Sequence, residues 1–149
     1  MNKQKGFTLI ELLIVVAIIG IIAAIAIPNL LNAIDRGKQK RTMADMRSIG
    51  TSVEAYAVDT NHYPTAANIG AVETVLEPVY IGTLPLVDGW QNAMVYQPGA
   101  TAGAGYTVRS VGKDGATEGS PAGGSTGDFD CDLLFVNGQF VQWPEGMQQ

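Results

Sequence analysis

The chain is poor in charge. Only 15% of its 149 residues are Asp, Glu, Lys or Arg, against about a quarter in ordinary soluble domains. It has one cysteine and one histidine. A single cysteine excludes a disulfide scaffold. One histidine, with no Gly-x-Ser-x-Gly turn, leaves no nucleophile paired with a base, so no catalytic residue is assigned and the chain does not read as an enzyme. The shortage of charge is also local. Residues 12–27 carry no charged side chain, while five of the nine basic residues (Arg36, Lys38, Lys40, Arg41, Arg47) fall within twelve positions. That unevenness argues against a uniform globular enzyme domain, and a 46% hydrophobic content argues against disorder. A net charge of -5 argues against nucleic acid as a partner.

Phe7 to Ile27 is apolar except for Glu11. At 1.5 Å per residue it makes roughly 30 Å of helix, the thickness of a bilayer core. Its many isoleucines and valines would suit a strand, but the length and the lack of turn residues favour a helix. Three readings compete for this segment. Lys3, Lys5, the apolar run and Ala24-Ile25-Ala26 supply the parts of a cleaved secretory signal. An uncleaved signal anchor is the second, and the basic cluster at 36–47 leaves its orientation open. The third starts from Glu11, because a carboxylate inside an apolar span costs a few kcal/mol and is functional by default. Its counter-ion is absent from the segment's own side chains; a new α-amino group, freed by cleavage nearby, would serve.

Gly6-Phe7-Thr8-Leu9-Ile10-Glu11, followed by an apolar helix and Pro28, resembles the N-terminus of type IV pilins and of the pseudopilins of type II secretion. The resemblance implies a leader, residues 1–6, removed after Gly6 by a prepilin peptidase, and N-methylation of Phe7. It also implies that Glu11 pairs with the Phe7 amine of an adjacent subunit. Four helical residues place Glu11 about 6 Å along the axis from Phe7, so a modest axial offset between copies aligns the two charges. Each charge would then find its counter-ion only in the assembly.

The expected organisation is a leader (1–6), a long helix (7–57) whose first part (7–27) spans the inner membrane, and an α+β head (58–149), the pilin fold. Pro28 and Gly20 are weak points where a kink or a melted stretch is expected, with the alternative that Pro28 ends the helix. Beyond it, Met43, Met46, Ile49, Val53 and Tyr56 form an amphipathic stripe for packing on the head. The basic cluster reads as a solvated face able to meet headgroups or a neighbour's acidic head. Asp59 to Thr65 is turn chemistry, and Tyr63-Pro64 resembles the loop after the long helix in pseudopilins. A short helix is expected within 66–77, with Ile69, Val72, Val75 and Leu76 inward. Strands are expected near 94–96 and 106–111, with a hairpin of 133–136 and 140–143 about Asn137-Gly138. Together they give three or four antiparallel strands.

Residues 112–132 read as a glycine-rich acidic loop containing Asp114, Glu118, Asp128, Asp130 and Asp132. Carboxylates sharing one loop repel unless a cation joins them, and hard cations take oxygen ligands. The Asp128-x-Asp130-x-Asp132 spacing fails as an EF-hand, because Leu133 stands where glycine is required. Asp130 and Asp132 would share a face if a strand began at 130. Ser110-Val111-Gly112-Lys113-Asp114-Gly115 resembles the calcium-binding stretch of the major pseudopilin of type II secretion. That resemblance implies calcium held by Asp114, the Val111 and Ala116 carbonyls, and Asp128 and Asp130. A solvated acidic loop is the alternative. The loop is longer than the family pattern, and Lys113 beside Asp114 departs from it. Cys131 should be a poor thiolate and a small buried strand residue.

The expectation is a filament subunit, preferably the secretion pseudopilin, with a surface pilin as the alternative and a membrane-anchored enzyme or an adhesin-type module further off. Its partners would be copies of itself, the prepilin peptidase, an inner-membrane assembly platform and the membrane. It would be stored in the inner membrane and assembled into a periplasmic or extracellular fibre.

Overall fold

The computed structural model describes residues 6–101, 103–118 and 123–145; the leader lysines Lys3 and Lys5 lie outside them, as do residues 119–122 of the acidic loop. The chain forms two compact units, Met1–Ile34 and Asp35–Gln149. Helix α1, Leu9–Thr60, contributes to both.

In the first unit α1 is apolar and unburied, with hydropathy high enough to cross a membrane. The helix does not melt at Gly20 or Pro28, nor does it end at the proline. Proline removes one main-chain donor, and on the same turn Asn29 Nδ2 donates to the Ile25 carbonyl at 3.0 Å. The helix runs three residues past the expected end at 57. There Thr60 Oγ1 donates to the Tyr56 carbonyl (2.8 Å) and Asn61 N–H to Ala57 O (2.9 Å). Asn61 adopts φ 62°, the left-handed stop that asparagine tolerates well.

In the second unit, helix α2 (Ile69–Leu76) is shorter than the expected window. Asn68 caps it, its Oδ1 accepting Ala71 N–H at 2.9 Å. Val72 and Leu76 are fully buried and Ile69 packs on them, but Val75 faces outward at 38% exposure. It directly precedes Leu76, and a helix of eight residues buries only one stripe.

The sheet has five strands: β1 (Val95–Pro98), β2 (Tyr106–Ser110), β3 (Gly124–Thr126), β4 (Leu133–Val136) and β5 (Gln139–Pro144). Their order is β1-β2-β4-β5-β3. The pairs β1/β2, β2/β4 and β4/β5 are antiparallel, whereas β3 runs parallel to β5. The sheet is therefore mixed, and the fifth strand rises from a stretch expected to be loop. Three residues, Gly124, Ser125 and Thr126, with no apolar alternation carry no strand signal; β3 exists because β5 offers it an edge. The hairpin is as expected: Asn137 (φ 47°) and Gly138 (φ 86°) form the primed turn.

The stripe on α1 holds. Met46, Ile49 and Val53 are fully buried, with Met43 and Tyr56 half-buried beside them. They form one core with Tyr96, Tyr106, Val108, Leu133 and Phe135 of the sheet. Gly50 makes this approach possible, since a Cβ there would collide with the Phe135 ring.

Candidate functional site

The first group of residues stands at the start of α1. Gly6 and Phe7 precede the helix, and Phe7 is 80% exposed. Thr8 and Glu11 form a reciprocal capping box. Thr8 N–H and Thr8 Oγ1 both donate to Glu11 Oε2 (2.8 and 2.7 Å), and Glu11 N–H donates to Thr8 Oγ1 (3.3 Å). Thr8 was not singled out from sequence, although Thr-x-x-Glu ahead of an apolar run is the signal that would have found it. The box gives the Glu11 carboxylate partners within its own chain. Pro28 lies inside the helix, away from this group in sequence.

The second group is the acidic loop. Ser110 is fully buried, and its Oγ donates to Asp88 Oδ2 at 2.8 Å. Asp88 Oδ1 accepts the Trp90 and Asn92 amides, each at 2.9 Å, and Asn92 Nδ2 donates to Gly112 O at 2.8 Å. Gly112 (φ 68°) lies against the Asp130 and Cys131 carbonyls, where a Cβ would not fit. Lys113 N–H donates to Phe129 O at 2.9 Å. The turn holding Val111, Asp114 and Ala116 thus lies against the turn holding Asp128 and Asp130, although 119–122 separate them in sequence outside the described residues.

Within these turns Asp114 Oδ1 accepts Ala116 N–H (2.9 Å) and Asp128 Oδ1 accepts Asp130 N–H (3.2 Å). Asp114, Asp128 and Asp130 are exposed and Val111 is buried. Among the described residues no three carboxylates, histidines or cysteines gather closely enough to form a metal cluster. No strand begins at 130: β4 starts at Leu133, and Asp130 and Asp132 do not share a face, one being exposed and the other fully buried. Cys131 is half-buried and outside the strands, so it is not the buried strand residue expected. Burial first, then Glu118 and Asp128, push its thiol above the ordinary range.

Sequence reading also missed a polar cluster behind the loop. Arg109 lies 3.6 Å from Asp132, whose Oδ2 accepts Glu118 N–H at 3.1 Å, and Gln142 Nε2 donates to Glu118 Oε2 at 3.2 Å. Asp132 Oδ1 and Gln142 Oε1 are buried without a hydrogen-bond partner. Burial pushes the Asp132 carboxyl above its usual range, against the pull of the Glu118 amide and Arg109. Carboxylates and carbonyls are the oxygen donors that a hard cation takes, but among the described residues the two adjoining turns do not draw three carboxylates together.

Lys113 joins the loop to α1. Its Nζ lies 3.0 Å from Asp35 Oδ2, and Trp90 Nε1 donates to Asp35 Oδ1 at 3.1 Å. Burial opposes ionisation of Asp35, but these two bonds together with the Lys113 and Lys38 charges outweigh it and hold the carboxyl below its usual range. Asp35 chiefly, then Asp130 and Asp128, hold the Lys113 ammonium above its own.

An apolar helix opening on a Phe-Thr-x-x-Glu cap, whose second half anchors a small sheet, defines the pilin class of filament subunit. Comparison with known proteins places the chain within that class. Residues 1–27 match the prokaryotic N-terminal methylation motif, and residues 29–127 match the family described as type II secretion system (T2SS), protein G. The type II secretion system core protein G of Escherichia coli is 32% identical over 126 residues, covering 76% of this chain and 85% of the relative. The proteins of the same name from Pseudomonas aeruginosa and Vibrio cholerae are each 31% identical, covering 87% of this chain and 97% and 94% of theirs. The chain belongs to the type II secretion system protein G family, the major pseudopilins, which are structural subunits.

Proposed function

We propose that the chain is stored in the inner membrane through the first part of α1, cut after Gly6, methylated on Phe7 and polymerised into a periplasmic pseudopilus. The observation that carries this reading is the first unit itself: an apolar helix with no buried surface, opening on one capped carboxylate. Such a surface is stable only in lipid or against other helices of the same kind. A prepilin peptidase and an inner-membrane assembly platform are the partners it requires. The Glu11 carboxylate exchanges its Thr8 cap for the Phe7 amine of a neighbour as copies pack. No chemistry occurs in the subunit; its work is assembly. Glu11→Gln is expected to abolish fibres while leaving head melting unchanged, measured by sheared-fibre yield and thermal unfolding. Intact mass should place the mature N-terminus at methylated Phe7. Normal fibres from the variant, or cleavage after Ala26, would refute the reading.

A calcium role for the loop is supported by the juxtaposed turns and the orphaned Asp132 Oδ1. Asp114, Asp128 and Asp130, with the Val111 and Ala116 carbonyls, are the ligands proposed, and the ion would bridge the two turns. Calcium should then raise the melting temperature of the chain by several degrees, about what 1–2 kcal/mol produces in a domain of this size. Asp114→Ala should remove the rise, and a wild-type chain indifferent to calcium and chelator alike would end the proposal.

A further inference from the structure

Charge is distributed unevenly around α1 within the second unit. At 100° per residue, Arg36, Lys40 and Arg47 fall within roughly 40° of one another on one flank. Lys40 and Arg47 are exposed and Arg36 is half-buried. Among the described residues none of the three forms an ion pair; Arg47 rests its guanidinium 5.3 Å from the centre of the Phe140 ring. The salt bridges lie elsewhere, at Arg41–Asp45, Arg109–Asp132 and Lys113–Asp35. Beside this flank the outward line of α1 holds only small exposed residues: Gly37, Ala44, Ser48, Thr51 and Ala55.

The acidic loop meets α1 on the other side. It touches the helix at Asp35 through Lys113, and the adjoining turn touches it at Thr42, whose Oγ1 accepts Gly89 N–H at 2.9 Å. Asp35 and Thr42 lie roughly 100–160° around the axis from Arg36, Lys40 and Arg47. Asp114, Asp128 and Asp130 are exposed there; Asp114 and Asp128 accept amides of their own turns, and among the described residues none of the three lies within ion-pair distance of a cation. A bound divalent ion would leave this side still negative, because Glu118 adjoins it while Arg109 faces Asp132 and Lys113 faces Asp35.

One molecule thus carries two complementary patches on different flanks of one helix. A heterologous contact of this kind, patch to opposite patch, propagates into a helical array. We propose that the Arg36–Lys40–Arg47 flank of α1 docks the acidic-loop side of a second copy of this chain, the small outward residues letting the neighbour approach the helix closely. This rests on the filament reading and adds to it which head surfaces meet. Rim charges of this sort fix register and partner more than bulk affinity.

The test uses the full chain in cells carrying its assembly machinery. Lys40→Glu with Arg47→Glu is expected to lower sheared-fibre yield about tenfold with head melting unchanged, whereas Lys40→Arg with Arg47→Lys, which keeps the charge, is expected to hold the wild-type yield. A second arm leaves the loop carboxylates intact and cross-links co-expressed Lys40→Cys and Gly127→Cys chains, each with Cys131→Ser, using a short bismaleimide; Gly127 is exposed with open space around it. A cross-linked dimer only when both chains are present supports the pairing. Wild-type fibre yield from the Lys40→Glu/Arg47→Glu chain, or no cross-link within intact fibres, overturns the pairing and leaves the filament reading standing. Absence of fibres from the wild-type chain overturns both.

Discussion

Asp35 carries two demands at once. It is almost wholly buried on a helix, and it receives a lysine and an indole from two different loops. Its folded carboxyl titrates below the unfolded one, so in the interval between them the unfolded chain binds more protons and stability rises with pH. The contribution is fully present above the ordinary carboxylate range and is lost as pH falls through the depressed folded value. Asp35→Asn should therefore flatten the acid limb of a melting-temperature profile below about pH 4 while lowering the plateau at neutrality. A variant whose profile merely shifts down in parallel would show that the ionised Lys113 contact is not responsible. Ser110 makes the same point in a neutral form. A serine at the end of a strand looks unremarkable in sequence, yet its hydroxyl fills one side of the buried Asp88 carboxylate.

At the scale of elements, what could be read from sequence was what repeats. The α1 stripe shows in the spacing of Met43 to Tyr56, and the hairpin shows in Asn137-Gly138. The turn has a further function that no pattern reveals: Asn137 Oδ1 accepts the Tyr106 amide at 2.8 Å, tying β2 to the hairpin. Asn137→Ala loses that bond and puts alanine at a positive φ, so it should cost about 1–3 kcal/mol and lower the melting temperature accordingly. Asn137→Gly, which keeps the backbone conformation, should cost less, and equal losses would argue against this partition. Strand β3 was illegible for the opposite reason. Its pairing comes from a distant edge, and its own residues hold no periodicity. The cap on Glu11 was legible, but Thr8 is overlooked when attention rests on the carboxylate alone. The Arg109–Asp132–Glu118–Gln142 cluster assembles residues from four separate stretches, and single-chain spacing says nothing of such a meeting.

For the whole molecule, the low average charge resolves into two units with different solvents. The first is suited to lipid or to its own kind, and the second owns a complete core. A chain begun at Asp35 should accordingly remain a monomer by sedimentation and unfold cooperatively, within a few degrees of the full chain in detergent, about 1 kcal/mol. Aggregation of that truncated chain, or loss of its cooperative transition, would show that the core needs the preceding turns. The sheet of that unit ends on two short strands. Strand β1 has four residues and closes on Pro98, and β3 has three. Edges so brief offer few free amides to a passing chain, so they resist strand addition and the runaway stacking of amyloid. A protein that must be held at high local density along a fibre, and disassembled without fusing to its neighbours, thereby keeps its contacts to side chains, where they can be undone.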